Sequence, residues 1–287
     1  MTEITIWDVQ HGSAAYIKSP NDKHIVIDIG TGSFENGTDF SPLYHLWKYY
    51  GVNQIDYAIL THPHKDHIKD IDNLVSFEPK VLGRPWHLTY DDIITPQTKK
   101  SDIPFYEKYI EFSNKYTESV LGTSDDPVGP YNFGGLNTQI LGAENCSTSN
   151  LNNQSIISIF SYAKSKIVIA GDNESASFNE LLKKVNFRNA IKNADILVAS
   201  HHGRKSGFHD EFVKLINPRL TVISDSSKKD TSSVDDYSKI SRGWTVFSRE
   251  DNSSQNRKTV STYHDGVINI RLGYNNNYKH FLKVEIK

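Results

Sequence analysis

Between Thr61 and Asp70 the chain reads THPHKDHIKD, which crowds His62, His64, Asp66 and His67 into six positions. Imidazole and carboxylate are common ligands of Zn, Mn and Fe. A lone histidine more often serves some other role, but four donors at H-x-H-x-D-H spacing point to a metal centre. His62 and His64 are expected to hold one ion, and Asp66 with His67 a second. Two ions roughly 3.5–4 Å apart can share a hydroxide, formed near neutral pH because metal binding lowers the pKa of water. The chemistry implied is hydrolysis, with Asp66 central to it.

The flanking residues must position these donors. IDYAIL (55–60) is a short apolar run of the buried-strand type. After Asp66 the apolar residues Ile68, Ile71, Leu74 and Val75 recur at helical spacing. Pro63 holds His62 extended, so the donors leave a strand and enter a helix. Asp66 and His67 fall at the positive end of that helix, where a carboxylate is favoured. Ligands gather at such carboxyl edges of open sheets.

Strand signals also cover EITIWDV, AAYIKS and HIVIDIG early, then TQIL, SIISIF, KIVIAGD, ADILVAS and LTVIS. Helices are expected over 101–121, 175–185 and 209–216. The last part is rich in strand signals, and Asp265-Gly266 reads as a two-residue hairpin. Two strand-rich halves, each followed by helices, predict an α/β fold of two mixed sheets packed face to face with helices outside. No Pro/Gly-rich linker divides the chain, so a single domain over 1–287 is expected.

Of the 287 residues, 37% are hydrophobic and 23% charged, with a net charge of -2. That balance excludes a global basic field able to hold long duplex nucleic acid. The small basic groups Lys99-Lys100, Lys183-Lys184 with Arg188, and Lys228-Lys229 leave open a short or single strand, with aromatic residues stacking bases. The opening MTEITIWDVQHG lacks the charge and apolar pattern of a secretion signal, and no apolar run is long enough to span a membrane. Cys146, the one cysteine, cannot form an internal disulfide, and a cytoplasmic location without membrane contact is expected.

THPHKDH resembles the signature of the metallo-β-lactamase fold superfamily, whose fold is an αββα sandwich. IVIDIGTG (25–32) resembles its early strand ending in a structural aspartate, here Asp28. KIVIAGD resembles the strand that delivers the bridging aspartate, here Asp172, and ILVASHHG the strand that delivers a late histidine. WDVQHGSAAYI, NNQSIISIF, IAGDNE and the stretch from ADILVAS to LTVIS resemble, more narrowly, the metallo-hydrolase domain of competence (ComEC-type) DNA-uptake proteins and its soluble relatives.

The resemblance implies two divalent ions, zinc or manganese. It places one of His201 and His202 with Asp66, His67 and Asp172 in the second site; His201, nearer the strand end, is favoured, which leaves His202 to act as a general acid or to bind the leaving group. Superfamily members usually carry a further histidine before the bridging aspartate. Here the matching place reads LNNQS, so Asn153 stands in as a ligand, or else caps the backbone. Arg204 and Lys205 could clamp a phosphate, and His11, in the first hairpin turn, could touch substrate. The Asn-x-Tyr-Gly-His-Pro block of competence proteins is replaced by SDSSKKDTSS, so DNA uptake does not follow from the resemblance. A phosphodiesterase or nuclease acting on a phosphate-containing substrate, with nucleic acid among the candidates, is expected. Alternatives are a small-molecule phosphoester or lactone hydrolase, and a non-catalytic partner that keeps the fold.

Overall fold

The computed structural model describes residues 1–34, 36–225 and 232–287. The expected basic pair Lys228-Lys229, and with it most of SDSSKKDTSS, lies outside the described residues.

The chain begins with three antiparallel strands, β1 (Thr2–Ile6), β2 (Ala14–Lys18) and β3 (His24–Ile29). A small pair, β4 (Gly32–Ser33) and β5 (Asp39–Phe40), leads to helix α1 (Pro42–Tyr50). Ser41 caps α1 by accepting from the Tyr44 amide, and Gly51, at φ 67°, ends it. Then come β6 (Tyr57–Ile59), α2 (Lys65–Ile68), α3 (Ile71–Phe77), β7 (Val81–Gly83), α4 (Tyr90–Ile93) and α5 (Ile103–Ser113).

The next stretch builds a second sheet from β8 (Asn137–Leu141), β9 (Ile157–Tyr162) and β10 (Ser165–Ile169). Helices α6 (Ser175–Leu181) and α7 (Val185–Ile191) follow, then β11 (Ile196–Val198), α8 (Asp210–Ile216), β12 (Leu220–Ile223) and α9 (Val234–Ile240). The chain continues through β13 (Trp244–Ser248), β14 (Ser253–Arg257), β15 (Thr259–Ser261), α10 (Thr262–Asp265), β16 (Ile268–Tyr274) and β17 (His280–Ile286).

The strands form a nine-stranded sheet, β14-β13-β17-β16-β1-β2-β3-β6-β7, and a six-stranded sheet, β15-β12-β11-β10-β9-β8. Both are mixed: β3, β6 and β7 run parallel, as do β10, β11, β12 and β15. Alternate residues sort the layers. Ile25, Ile27, Ile59, Ile167, Ile169, Ile196 and Val198 fill one core shared by the two sheets. Val26, Ala58 and Leu60 pack instead with Leu43, Leu46, Leu74 and Phe112 of the helices on one outer face. Val168 and Leu197 pack with Phe178, Phe187 and Phe212 on the other. Strands buried on both faces read as near-continuous apolar runs, and the result is the expected αββα sandwich.

Three local expectations are corrected. Asp265-Gly266 makes no hairpin: Asp265 ends α10, its carboxylate accepting from the Ser261 amide and from Arg257. The hairpin of β16 and β17 turns later, at 275–279. The helix expected over 101–121 ends at Ser113, where the apolar recurrence stops, and the Tyr116 hydroxyl then donates to the Pro79 carbonyl. The helix expected over 175–185 is two helices that break at Lys183 and Lys184. Among the described residues no helix is long and apolar enough to cross a membrane.

Phe160 stands in the layer between the sheets with 1% of its surface exposed. Phe160→Ala is expected to lower unfolding free energy by about 3–5 kcal/mol, read from the midpoint of urea denaturation.

Candidate metal centre

The centre lies at the carboxyl ends of β3, β6, β10 and β11. Asp28 stands one residue before the end of β3, held at φ 54°. Its carboxylate accepts from the backbone amide of Thr61 at 2.8 Å and from the Thr61 hydroxyl, which fixes the path of the chain as it leaves β6. Its Oδ2 also takes the Nδ1 hydrogen of His67 at 2.8 Å. With Nδ1 so committed, the lone pair of His67 is on Nε2, facing inward. The first hairpin turn packs against the motif. The Ser13 amide donates to the Asp66 carbonyl, and a Cβ on Gly12 would come within 2.6 Å of that oxygen.

Asp172 follows β10 and is buried. Its Oδ1 lies 3.2 Å from His67 Nε2, and its Oδ2 lies 3.5 Å from His202 Nε2 and 3.9 Å from His62 Nε2. His62 Nε2 and His64 Nδ1 are 2.9 Å apart. His202 Nε2 is 3.3 Å from Asp66 Oδ2 and 3.4 Å from His67 Nε2, while its Nδ1 donates to the Ser224 carbonyl at 3.0 Å. Two donor groups result, one of His62, His67 and Asp172 and one of Asp66, His67 and His202.

The donor chemistry fits divalent ions. His67 and His202 each spend Nδ1 on a fixed acceptor, so two imidazole lone pairs face each other in a buried space. Such an arrangement needs positive charge between them. Without an ion, protons must supply it. Burial works against the imidazolium form of His202, but Asp172 and Asp66 outweigh it and raise its pKa to about 9. Burial likewise opposes a charge on His67, yet Asp172 and Asp28 carry it well above the usual value. Burial resists ionisation of Asp172, and the His67 and His202 charges overcome it, holding the carboxyl well below its usual range. Burial, reinforced by His67, pushes His62 well below the ordinary value, and burial also lowers His64. Both present neutral rings suited to metal ligation.

Two expectations change. Asn153 is not aimed at the centre. It sits in a short turn, Leu151–Gln154, and its Oδ1 accepts from the amides of Glu174 and Ser177 at 3.2 Å each, capping α6. The second-site place expected for His201 belongs to His202, because the chain turns left-handed at both residues and it is the His202 ring that reaches Asp66 and His67. Buried, and with Nδ1 committed, His202 joins the donors rather than standing apart as a general acid.

His11 does border the centre. Its Nε2 is 3.6 Å from Asp66 Oδ2, and Arg204 Nη2 donates to its Nδ1 at 3.2 Å. Lys205 is exposed, and no described contact joins it to the centre. Thr61 and Ser224, which orient donors from behind, carried no signal in sequence because their partners are remote along the chain. On the His64 side a groove of about 680 Å³ is bordered by Asp91, Asp92, Tyr106 and Asn150. Part of the segment 85–135 thus walls the site.

Asp28→Ala is expected to weaken metal binding about 10- to 100-fold, measured by competition with a chromogenic chelator. Asn153→Ala should leave the number of bound ions unchanged and cost about 1 kcal/mol of stability through the lost cap, measured by urea unfolding of the metal-free protein.

Residues 7–95 match the family model described as the metallo-beta-lactamase superfamily. ComE operon protein 3 of Bacillus subtilis (strain 168) is 22% identical over 234 residues, 77% of this chain and 28% of that protein, so the chain spans little more than a quarter of this curated relative. The metallo-beta-lactamase fold protein YhfI from Bacillus subtilis is similar at 16% identity, covering 79% of this chain and 88% of its own, with a TM-score of 0.45. The long form RNase Z from yeast is similar at 13% identity, covering 93% of this chain and 41% of its own, with a TM-score of 0.47. The family match takes in β2 to α4 with the H-x-H-x-D-H motif, and over those residues the chain is similar to that superfamily.

Proposed function

We propose that this protein is a metal-dependent hydrolase of phosphodiester bonds, using two divalent ions, zinc or manganese. The observation that carries the reading is the buried facing pair His67 and His202 around Asp172, whose lone pairs and charges call for cations. Bound ions would supply Lewis acidity toward a phosphoryl oxygen and toward the attacking water. His62, His64, Asp66, His67, Asp172 and His202 would hold them.

The remaining steps belong to the chain's own side chains. An arginine can only donate, so the Arg204 contact assigns His11 Nδ1 as acceptor and puts the hydrogen on Nε2. That N–H is directed toward Asp66 at the exposed mouth of the centre. A substrate phosphate seated there would receive the His11 N–H and lie beside the Arg204 guanidinium. His11 is then placed to hand a hydrogen bond to the departing oxygen as the ester bond breaks. Lys205, on the neighbouring turn, would add only general positive charge.

The groove beside His64 favours a short phosphodiester over a long strand. Its described lining includes Asp91 and Asp92 and no lysine or arginine. A polynucleotide continuing along it would bring its next phosphate toward carboxylates, without the cationic contacts that give nucleic-acid affinity.

Metal-stripped protein reloaded with manganese or zinc is expected to hydrolyse bis(p-nitrophenyl) phosphate. Asp66→Ala should lose at least about 10²-fold, and His11→Ala about 10²-fold in kcat with ion content unchanged. Absence of turnover with both metals would overturn the phosphodiester reading.

A further inference from the structure

Asn153 is committed to capping α6 and gives the first ion position no ligand. His67 is shared between the two donor groups, so that position has His62, His64 and Asp172 to itself, with room for a fourth ligand. We propose that His201 supplies it, so that the adjacent pair His201-His202 serves both ion positions, one ring each, with Glu174 as the positioning residue for His201. This rests on the metal-dependent reading above.

The backbone makes the division possible. His201 and His202 both lie in the left-handed region, at φ 48° and 54°, a conformation disfavoured for any residue with a Cβ. Two successive residues so placed send their rings apart, with centroids 6.1 Å from each other and planes at 68°. His202 reaches Asp66 and His67. His201 Nε2 instead stands 3.9 Å from Asp172 Oδ2, the distance at which His62 Nε2 flanks the same oxygen.

The turn is fastened where it must be. The His201 amide donates to the Gly171 carbonyl at 3.0 Å, and the Ser200 hydroxyl donates to the carbonyls of Gly171 and Asn173. These bonds tie the histidine pair to the loop that carries Asp172.

The ring itself is oriented from behind. His201 Nδ1 lies 3.1 Å from Glu174 Oε1 and 2.9 Å from Ser206 Oγ. A hydrogen on Nδ1 donated to Glu174 leaves the lone pair on Nε2, facing Asp172. This is the arrangement that Asp28 imposes on His67, and carboxylates of this kind fix the tautomer of metal-bound histidines. Glu174 is itself held by Asn150 Nδ2 at 2.9 Å and Asn152 Nδ2 at 3.2 Å. The LNNQS turn therefore contributes to the first position through Glu174, by an indirect route, instead of by a ligand of its own.

The test is equilibrium dialysis of the metal-stripped full chain against cobalt(II), with bound metal counted by mass spectrometry and coordination followed in the visible d–d absorption. The wild type is expected to bind two ions. His201→Ala should retain one ion and lose the other, with the absorption of one cobalt centre gone. Glu174→Ala, which removes no ligand, should weaken that same ion about 10- to 100-fold and leave the remaining one unchanged. His202→Ala should lose the opposite ion, and the double variant both. Circular dichroism of the metal-free proteins checks the fold, and His201→Gln replaces the alanine variant if that one fails to fold. Two ions held by His201→Ala with wild-type affinities, or a single ion in the wild type, would overturn the assignment while the hydrolase reading stands. No ion bound by the wild type would overturn both.

Discussion

A carboxylate with 5% of its side chain exposed sits among the imidazoles of His62, His67, His201 and His202. A buried negative charge is costly unless it is matched by positive charge or hydrogen bonds. Asp172 is matched by groups delivered from both sheets: His62 and His67 follow β6 of the first, and His201 and His202 follow β11 of the second. The apolar layer between the sheets brings those strand ends to one edge. The ligand cluster and the sandwich core are therefore coupled, because neither sheet alone carries a complete donor set.

Behind the imidazole rings stand acceptors that decide which nitrogen of each ring faces inward. Asp28 does this for His67, the Ser224 carbonyl for His202, and Glu174 with Ser206 for His201. Asp28 belongs to β3, Ser224 follows β12 and Glu174 follows β10. Arg204 acts on His11 in the same sense at the rim, from the side of the donor rather than the acceptor. The centre is thus specified by loop contacts as much as by its ligands, and the glycine turn at Gly12 lets the first hairpin close over the Asp66 backbone.

Sequence reasoning reached what local pattern encodes. H-x-H-x-D-H after an apolar run located the centre, and period-two alternation located the strands whose faces fill the three apolar layers. It did less well where one residue type serves two purposes. Asn153 can ligate or cap, and only the position of the Glu174 and Ser177 amides decides for the cap. His201 and His202 are equivalent in a string, and two left-handed backbone angles separate them. Asp265-Gly266 is a hairpin signal that lost to a local helix turn, because Arg257 and the Ser261 amide claim the aspartate. In each case the deciding partner is set by tertiary structure.

Strand β1 lies between β2 and β16, with Thr2 opposite Leu272 and Ile6 opposite Ile268. One edge of β1 thus waits for a partner some 260 residues later in the chain. During synthesis on the ribosome, β1, β2 and β3 emerge well before β16 and can pair at once, but β1 keeps an unpaired edge until β16 appears. Long-range pairing of this kind slows folding, and an open apolar edge invites pairing with other chains. The nascent protein therefore passes through a period in which its motif strands are assembled while the sheet that frames them is still open.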